Sequence, residues 1–505
     1  MQPRRVAVLG GGPGGLYAAR LLKLAFPTCE VTVHEQGDPD TTFGFGVGLA
    51  AGTQRNLAAA DPDTLRDLVA AGVRHDMTLQ NGDDRVRVSN DRLIGVARTE
   101  LLAILQRHAE KAGVVLEFGA RRAAHELDAD LVVAADGVSS ATREAGPYGG
   151  RAGLGRGLYL WCAADLTLPD AVFAPVETEH GVFVTHAYPY SGGRSTFLIE
   201  TDEATWRRAG FDATTDATPP DASDTTSLRF LERAFAEQLH GHPLIGNRTR
   251  WLRFRTVRCD RWSDGGTVLL GDAAHTAHFS IGSGTKLAME DAIALVEALA
   301  GEPGPGAAFA RYEEVRRPAV ERLQELARRS RLWWESFPSR LDLPAARLMV
   351  AYMSRAGNVP LDRFAGTAPD VVAAALEQYA GVPGPHEGLT DWVIGRPLER
   401  GDLRFADRTS GAAGLAALDV RLDDPWSTAG DALVERVRRD GAGGYRITGP
   451  ADRAALLTRL DLAERVRRET GALVAVEGPA AFRDDLAAGL VSGRTDLVSL
   501  TGETA

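Results

Sequence analysis

The sequence predicts an α/β fold in which short buried strands lead into glycine-rich turns and helices. The apolar run at residues 6–9 is followed by Gly-Gly-Gly-Pro-Gly-Gly and then by a helical stretch. Apolar runs at 131–135 and 268–270 each lead into a turn that contains an aspartate. Continuous apolar runs are typical of buried parallel strands, and ligands bind at the carboxyl edge of such sheets. We therefore predict a Rossmann-like domain with a binding site at that edge.

The first turn has the spacing of a dinucleotide-binding loop. Gly10, Gly12 and Gly15 form a GxGxxG pattern with Gly14 beside them, and such glycines allow a tight turn and close approach of a pyrophosphate to a helix start. A second apolar strand, at 31–34, ends in Glu35, which lies about 20 residues after the turn, as for an acid that binds an adenosine ribose. These five residues are predicted to bind a dinucleotide. The alternative is a glycine-rich turn without a ligand.

The segment 268–291 has the features of one half of a flavin-binding site. Gly271 and Asp272, the GD motif, end the strand, and the carboxylate suits a hydrogen bond from a ribityl hydroxyl. Three further residues, Gly282, Ser283 and Gly284, allow close backbone approach before a helix that starts at Thr285. The positive end of that helix would face the negative charge that a reduced flavin carries near N1 and its C2 carbonyl.

A third motif, DGxxSxxR, begins at Asp136 and Gly137, and both residues are expected to contact the cofactor. In chain order, the GxGxxG pattern, DGxxSxxR and the GD motif resemble the single-component FAD-dependent aromatic hydroxylases, the group A flavoprotein monooxygenases. The resemblance implies a three-layer ββα FAD-binding domain with an inserted antiparallel β-sheet domain for the substrate. It also implies FAD, reduction by NADH or NADPH, and insertion of one oxygen atom of O2 into an electron-rich ring through a flavin C4a-hydroperoxide.

Two stretches narrow the resemblance to enzymes that hydroxylate aryl-CoA thioesters. The loop 40–48 (DTTFGFGVG) and the string GDAAHTAHFSIGSGTKLAMEDA are similar to the salicylyl-CoA 5-hydroxylases and to the monooxygenase half of anthraniloyl-CoA monooxygenases. Phe279 stands where many hydroxylases have proline, and Lys286 where many have asparagine. The implied substrate is an acyl-CoA thioester such as salicylyl-CoA, converted to gentisyl-CoA. A free or carrier-protein-bound aromatic or indole substrate remains an alternative.

Two alternatives of another class are a non-catalytic flavoprotein and a flavin-dependent halogenase. The halogenases place a lysine beside a WxWxIP motif, and the sequence has no such tryptophan spacing. A non-catalytic flavoprotein would keep the FAD motifs and lose NAD(P)H oxidation.

Further site residues are predicted on the loop, the first long helix and the inserted sheet. Gly46 and Val47 would line the isoalloxazine with backbone, unless the loop is only an aromatic-anchored turn. Arg98 precedes a helix at 99–112, and the resemblance implies a contact with the flavin pyrophosphate; the alternative is a surface arginine. His186 and Tyr188 share strand parity, so both can face the flavin as candidates for catalysis. A hydrogen-bonded structural histidine is the alternative for His186.

The patterns divide the chain into four regions. Residues 1–156 and 250–305 would form the FAD-binding domain, and alternating β-branched and aromatic residues predict the substrate sheet within 157–249, followed by a helix over 227–240. Residues 306–382 are expected to be helical. Residues 386–505 would form a small C-terminal α/β appendage, whose end resembles the last βα units of the reductase barrel fused to anthraniloyl-CoA monooxygenase. Because about 120 residues cannot close a barrel of about 250, we expect a truncated relic without FMN.

Composition and charge argue against nucleic acid, structural metal ions and a membrane as partners. A net charge of -11 argues against broad nucleic-acid binding. The three cysteines are scattered without CxxC spacing, so neither a disulfide framework nor a metal site is indicated. No apolar span of about 18 residues predicts a membrane helix. The expectation is a cytoplasmic monomer or homodimer whose partners are an aromatic small molecule and O2.

Overall fold

The computed structural model describes residues 3–40, 42–90, 93–282, 284–409 and 412–502. The chain divides into two compact units. The first comprises Met1–Thr78 and Asn90–Glu335, and the second comprises Leu79–Ser89 and Ser336–Ala505. Within the described ranges, none of the helices combines the length and the apolar character that a membrane crossing requires.

Up to Glu335 the strands are β1 (Arg5–Leu9), β2 (Glu30–His34), β3 (Gly46–Leu49), β4 (Val73–Arg74), β5 (Met77–Asn81), β6 (Asp84–Val88), β7 (Ile94–Ala97), β8 (Val115–Glu117), β9 (Leu131–Ala134), β10 (Arg151–Ala164), β11 (Ala171–Thr178), β12 (Gly181–Ser191), β13 (Arg194–Thr201), β14 (Leu244–Ile245), β15 (Leu252–Arg258), β16 (Ser263–Asp264) and β17 (Thr267–Leu269). The α-helices of the same stretch are α1 (Pro13–Ala25), α2 (Ala51–Ala60), α3 (Pro62–Ala71), α4 (Arg98–Ala112), α5 (Ala141–Ala145), α6 (Glu203–Arg208), α7 (Phe211–Ala217), α8 (Thr225–Ala234), α9 (Ala236–Leu239), α10 (Gly284–Gly301) and α11 (Pro305–Glu335).

A mainly parallel sheet forms the centre of the first unit. Its strand order is β16-β17-β9-β1-β2-β8, and only the edge strand β16 runs antiparallel to its neighbour. The central strands β1 and β9 are buried over nearly their whole length, which explains their continuous apolar sequence. Because β1, β2, β9 and β17 are parallel, the segments that follow them meet at one edge. The predicted α/β class and Rossmann-like sheet are confirmed.

An antiparallel sheet is inserted after β9, as predicted. Within the first unit its order is β14-β10-β13-β12-β11, and β15 also pairs with β10. Phe183 and Ala187 of β12 belong to an apolar cluster on one face. His186 and Tyr188 alternate with them and therefore lie on the opposite face, which supports the parity argument.

Two details differ from the sequence expectation. β10 begins at Arg151, before the expected start of the sheet region at 157, because its first residues pair with β15 ahead of a bulge between Leu154 and Leu158. The helix predicted over 227–240 is wrong as a single element: α8 ends at Ala234, and α9 follows it. The break lies at Phe235, whose backbone is not helical and whose side chain is fully buried.

The second unit contains the hairpin β18 (Leu398–Arg400) and β19 (Leu403–Phe405), and a parallel sheet of β20 (Ala416–Asp419), β21 (Gly444–Thr448), β22 (Leu473–Pro479) and β23 (Leu497–Thr501). Its helices are α12 (Ala345–Ser354), α13 (Leu361–Thr367), α14 (Pro369–Ala380), α15 (Leu389–Ile394), α16 (Thr428–Asp440), α17 (Arg453–Thr470) and α18 (Arg483–Val491). The parallel strands pair in chain order with one helix between each pair, as in part of a βα barrel. Among the described residues these strands do not close a barrel.

Candidate active site

Two glycines of the first turn serve close packing of the backbone. A Cβ built at Gly10 would lie 2.3 Å from the carbonyl oxygen of Ala135, and one built at Gly15 would lie 2.0 Å from the carbonyl oxygen of Gly10. Gly10 also has φ +100, which only glycine adopts readily. These residues let α1 start directly at the sheet edge.

Gly12 and Gly14 have different surroundings. A Cβ at Gly14 would meet Leu270 at 2.7 Å, so this glycine lets α1 pack against the segment after β17. A Cβ at Gly12 would meet no protein atom within 4 Å. Gly12 is the N-cap of α1, so the first free N–H groups of that helix and its positive dipole end lie beside open space. Among the four, Gly12 has the geometry of a phosphate contact.

Glu35 and Asp136, the two predicted acids of the first domain, are held by their own loops. Glu35 accepts hydrogen bonds from the N–H groups of Gly11 (2.6 Å) and Gly37 (2.7 Å), which fixes the carboxylate beside the glycine turn. Asp136 accepts the Ser140 hydroxyl (2.5 Å) and both the N–H (3.1 Å) and the hydroxyl (3.0 Å) of Thr142.

The DGxxSxxR motif also links two segments of the sheet edge. The Arg143 guanidinium donates to the carbonyl of Ala273 (3.0 Å), directly after the GD motif, and to that of Val138 (2.8 Å). Gly137 has φ +80, and a Cβ built there would meet nothing within 4 Å. The motif therefore positions the loop after β9 against the loop after β17.

Arg98, Asp272, Tyr188 and Gly46 come together from four distant segments. The Tyr188 hydroxyl donates to the Gly46 carbonyl (2.7 Å), and the Arg98 Nε donates to the Thr42 hydroxyl (3.0 Å). Burial lowers the pKa of Arg98, and the charge of Asp272 opposes this shift. Burial likewise raises the pKa of the Asp272 carboxyl, which His275 and Arg98 oppose. The Asp272 side chain is nevertheless accessible to solvent. It therefore lines a recess whose walls are formed by surrounding protein.

Val47, Gly282, Gly284 and Thr285 are the other described residues that the sequence predicts to bind the cofactor. Val47 of β3 is buried and pairs with Val96 of β7. Gly282 has φ +61, and neither it nor Gly284 would place a Cβ within 4 Å of protein. Thr285 stands in the first turn of α10. Ser283 lies outside the described residues.

A buried charge network beneath the GD motif was not identified from the sequence. His275 Nε2 and Arg316 Nε lie 2.9 Å and 2.7 Å from the two carboxylate oxygens of Asp291, which also accepts the Gly271 N–H at 3.2 Å. Burial acts to raise the pKa of Asp291, but the charges of His275 and Arg316 and the hydrogen bond from Arg316 outweigh it and hold this pKa below its usual value. In the sequence, an acid on the otherwise apolar face of α10 was the signal that could have predicted this buried pair.

His186 lies in an aromatic enclosure together with a carboxylate. Its Nε2 is 2.9 Å from Glu200 Oε2, close but not aligned for a hydrogen bond, and its ring centroid is 4.1 Å from that of Trp334 and 5.2 Å from that of Phe173. The other oxygen of Glu200 lies 3.6 Å from His278 Nε2. Sequence reasoning missed Glu200 and Trp334, because strand pairing brings Glu200 of β13 to His186 and helix packing brings Trp334 of α11.

Tyr188, unlike His186, is not suited to accept a proton at neutral pH. Burial raises the pKa of its hydroxyl to about 12, so at neutral pH the group is protonated and donates to Gly46. The ring stacks on His75 at a centroid distance of 6.2 Å. Burial lowers the pKa of His75, whose Nδ1 lies 3.0 Å from the Asp76 carbonyl oxygen. Tyr188 thus anchors the loop that carries Gly46.

The described residues contain no group of three or more His, Cys, Asp or Glu side chains that could hold a metal ion. The three cysteines are free and buried.

Comparison with known proteins identifies the class. The FAD binding domain family matches residues 4–327, and the chain belongs to it. It is an FAD-dependent aromatic monooxygenase, for which NAD(P)H is the reductant typical of the family.

Its relatives include a salicyloyl-CoA 5-hydroxylase of Streptomyces sp, which is 38% identical over 98% of this chain and 100% of the relative. The 3-hydroxy-4-methyl-anthranilyl-[aryl-carrier protein] 5-monooxygenase of Streptosporangium sibiricum is 38% identical over 70% of this chain and 95% of that protein. A solved structure of 2-methyl-3-hydroxypyridine-5-carboxylic acid oxygenase shares the fold, with a TM-score of 0.51 at 21% identity over 65% of this chain and 90% of its own. The predicted aromatic-hydroxylase fold, family and FAD are confirmed.

Proposed function

We propose that the chain hydroxylates the ring of an aryl thioester at the carbon para to its activating group, with salicyloyl-CoA as the first candidate. The observation that carries this proposal is the 38% identity to a salicyloyl-CoA 5-hydroxylase over 98% of the chain, which includes the second unit. The carrier-protein relative is also named for oxidation at ring carbon 5. Carbon 5 is para to carbon 2, which bears the hydroxyl of a salicyloyl group or the amino group of an anthranilyl group.

The residues at the sheet edge suit FAD. Gly12 and the start of α1 would face its pyrophosphate together with Arg98, and Asp272 would accept from the ribityl chain. The start of α10 would face the pyrimidine edge, and Gly46 and Val47 would line the ring. When bound, FAD takes two electrons from NAD(P)H and delivers one oxygen atom of O2 to the substrate, while the other leaves as water.

His186 would take the proton from a phenolic substrate as the ring becomes a nucleophile. Because Nε2 lies 2.9 Å from Glu200, Nδ1 is the atom that would accept that proton, and the nearby carboxylate would stabilise the imidazolium. The aromatic enclosure formed by Phe173, Phe279 and Trp334 would keep water from the reacting atoms. Tyr188 would act through the Gly46 loop and not by proton transfer.

The test is NAD(P)H oxidation by the FAD-loaded protein with salicyloyl-CoA, anthraniloyl-CoA, free salicylate and free anthranilate. We expect oxidation to be stimulated by a thioester and to yield one hydroxylated product per NAD(P)H. Turnover of only the free acids would reject the thioester, and no flavin reduction with any aromatic compound would reject the monooxygenase activity. The latter result is the one that a non-catalytic flavoprotein would give.

We also propose that the second unit is a truncated relative of a reductase barrel that binds no FMN. Support comes from the four parallel strands β20 to β23, which pair in chain order with a helix between neighbours. Flavin released from the pure protein should be FAD alone. FMN in a one-to-one ratio with FAD would overturn this proposal.

A further inference from the structure

A groove on the first unit is rich in arginine and is lined in part by the loop that follows the GD motif. Its volume is about 420 Å³, and it is formed by β10, β15, α11 and the residues after His275. Four of its lining side chains are Arg151, Arg258, Arg328 and Arg331. The described lining residues include no aspartate or glutamate, so the wall of the groove is cationic.

The acids that pair with these arginines lie outside the lining, and Arg151 pairs with one of them, Asp260. Arg328 donates to Glu325 at 2.7 and 2.8 Å, and Arg331 to Glu335 at 3.3 Å. Arg258 differs, since its Nε donates to the neutral amide oxygen of Gln324 at 3.1 Å. Arg258 shares the charge of Glu325 with Arg328 and Arg329, while its own Nε hydrogen bond goes to a neutral group, so its guanidinium is suited to take an anion.

The floor of the groove is rigid. The Gln324 amide donates to the carbonyls of Val257 and Thr276, each at 2.9 Å, and the Thr276 hydroxyl accepts from Val257 N–H at 2.7 Å. These buried bonds hold β15, α11 and the loop after His275 together. A site whose arginines are positioned in advance loses less entropy when a ligand binds.

The groove adjoins the enclosure of His186 through one residue. His278 lines the groove, and its Nε2 lies 3.6 Å from Glu200, whose other oxygen faces His186. Leu154 also lines the groove and keeps 63% of its surface exposed, an apolar contact for an aliphatic chain. A ligand with its ring near His186 could thus extend a flexible arm past His278 toward the arginines.

We propose that this groove binds the phosphates of the coenzyme A portion of the substrate. The proposal rests on the proposed function, in which the substrate is an aryl-CoA thioester. Guanidinium groups bind phosphate oxygens through paired charge-assisted hydrogen bonds. NAD(P)H carries similar adenosine phosphates, but the contact of the groove with the His186 enclosure favours the arm that bears the ring over the reductant.

The experiment compares Arg258→Gln and Arg151→Gln with the control Arg66→Gln, whose exposed side chain pairs with Asp63 on α3. For each full-length, FAD-loaded variant we would measure KM for salicyloyl-CoA, for the salicyl thioester of N-acetylcysteamine, and for NADH and NADPH. Losing one phosphate contact should raise KM for salicyloyl-CoA about tenfold, or about 1.4 kcal/mol. The KM for the truncated thioester and kcat should stay unchanged, and the control should match the wild type.

Two results would overturn the proposal. An unchanged KM for salicyloyl-CoA in both groove variants would show that CoA binds elsewhere, and a raised KM for NADPH alone would assign the groove to the reductant. Calorimetric titration with CoA itself separates this proposal from the proposed function, because it needs no turnover. If no thioester is hydroxylated, an approximately tenfold weaker CoA Kd in the groove variants still supports the groove, and an unchanged Kd rejects it.

Discussion

The His275 imidazole lies 2.9 Å from the carboxylate of Asp291, and the two residues are 2% and 0% exposed. The same carboxylate pairs with Arg316 and accepts the N–H of Gly271. One buried acid on α10 therefore holds the loop Gly271–His275, which carries Asp272. A carboxylate with three partners explains how the loop keeps its shape.

Asp291→Asn should destabilise the protein by about 3–5 kcal/mol, because it removes the buried carboxylate that pairs with His275 and Arg316 and leaves Arg316 only Glu290 at 3.5 Å. The measurement is urea unfolding at pH 7 together with the FAD retained after gel filtration. The matched control, Asp63→Asn, removes an exposed partner of Arg66 and should leave both quantities unchanged. Equal stability of the two variants would contradict a structural role for Asp291.

The stabilisation by Asp291 should depend on pH in one direction. Its folded pKa is held below the unfolded value of about 3.9, so the contribution is fully present above that value and is lost as pH falls through the folded pKa. The difference in unfolding free energy between the wild type and Asp291→Asn should be constant from about pH 5 to 7 and shrink below about pH 4. A difference that already shrinks between pH 7 and 6 would assign the effect to a histidine.

Arg98→Gln should weaken FAD binding about 10- to 100-fold, the effect of losing one charge-assisted hydrogen bond to a pyrophosphate. The measurement is the Kd of the apoprotein for FAD, from flavin fluorescence. Arg107→Gln, on the same helix α4, is the control and should bind FAD as the wild type does. An unchanged Kd for Arg98→Gln would contradict a contact with FAD and would limit the role of Arg98 to its hydrogen bond with Thr42.

His186→Asn should lower the rate of hydroxylation of salicyloyl-CoA about 10²- to 10⁴-fold if His186 removes the phenolic proton. NAD(P)H oxidation should continue and release hydrogen peroxide, since reduction of the flavin does not need this residue. Anthraniloyl-CoA, activated by an amino group, should lose less activity. Equal losses with both substrates would point to packing against Trp334 as the role of His186.

Much of the fold could be predicted because its signals are local. The parallel strands appear as continuous apolar runs, and the turn after β1 requires glycine at Gly10 and Gly15, where a Cβ would lie within 2.3 Å of a backbone oxygen. Strand parity was also sufficient to place His186 and Tyr188 on one face. The break at Phe235 was not predictable, since α8 and α9 have one continuous helical pattern and a buried ring ends the first of them.

The sequence by itself determined the FAD-binding class, through the order of GxGxxG, DG and GD and the residues that surround each motif. Only the tertiary structure decided which side chains meet. It brought Glu200 and Trp334 to His186, Asp291 to His275, and the arginines of β15 and α11 to one groove. Glycine turns and strands depend on neighbours in the chain, whereas these contacts depend on strand register and on helix packing between separate elements.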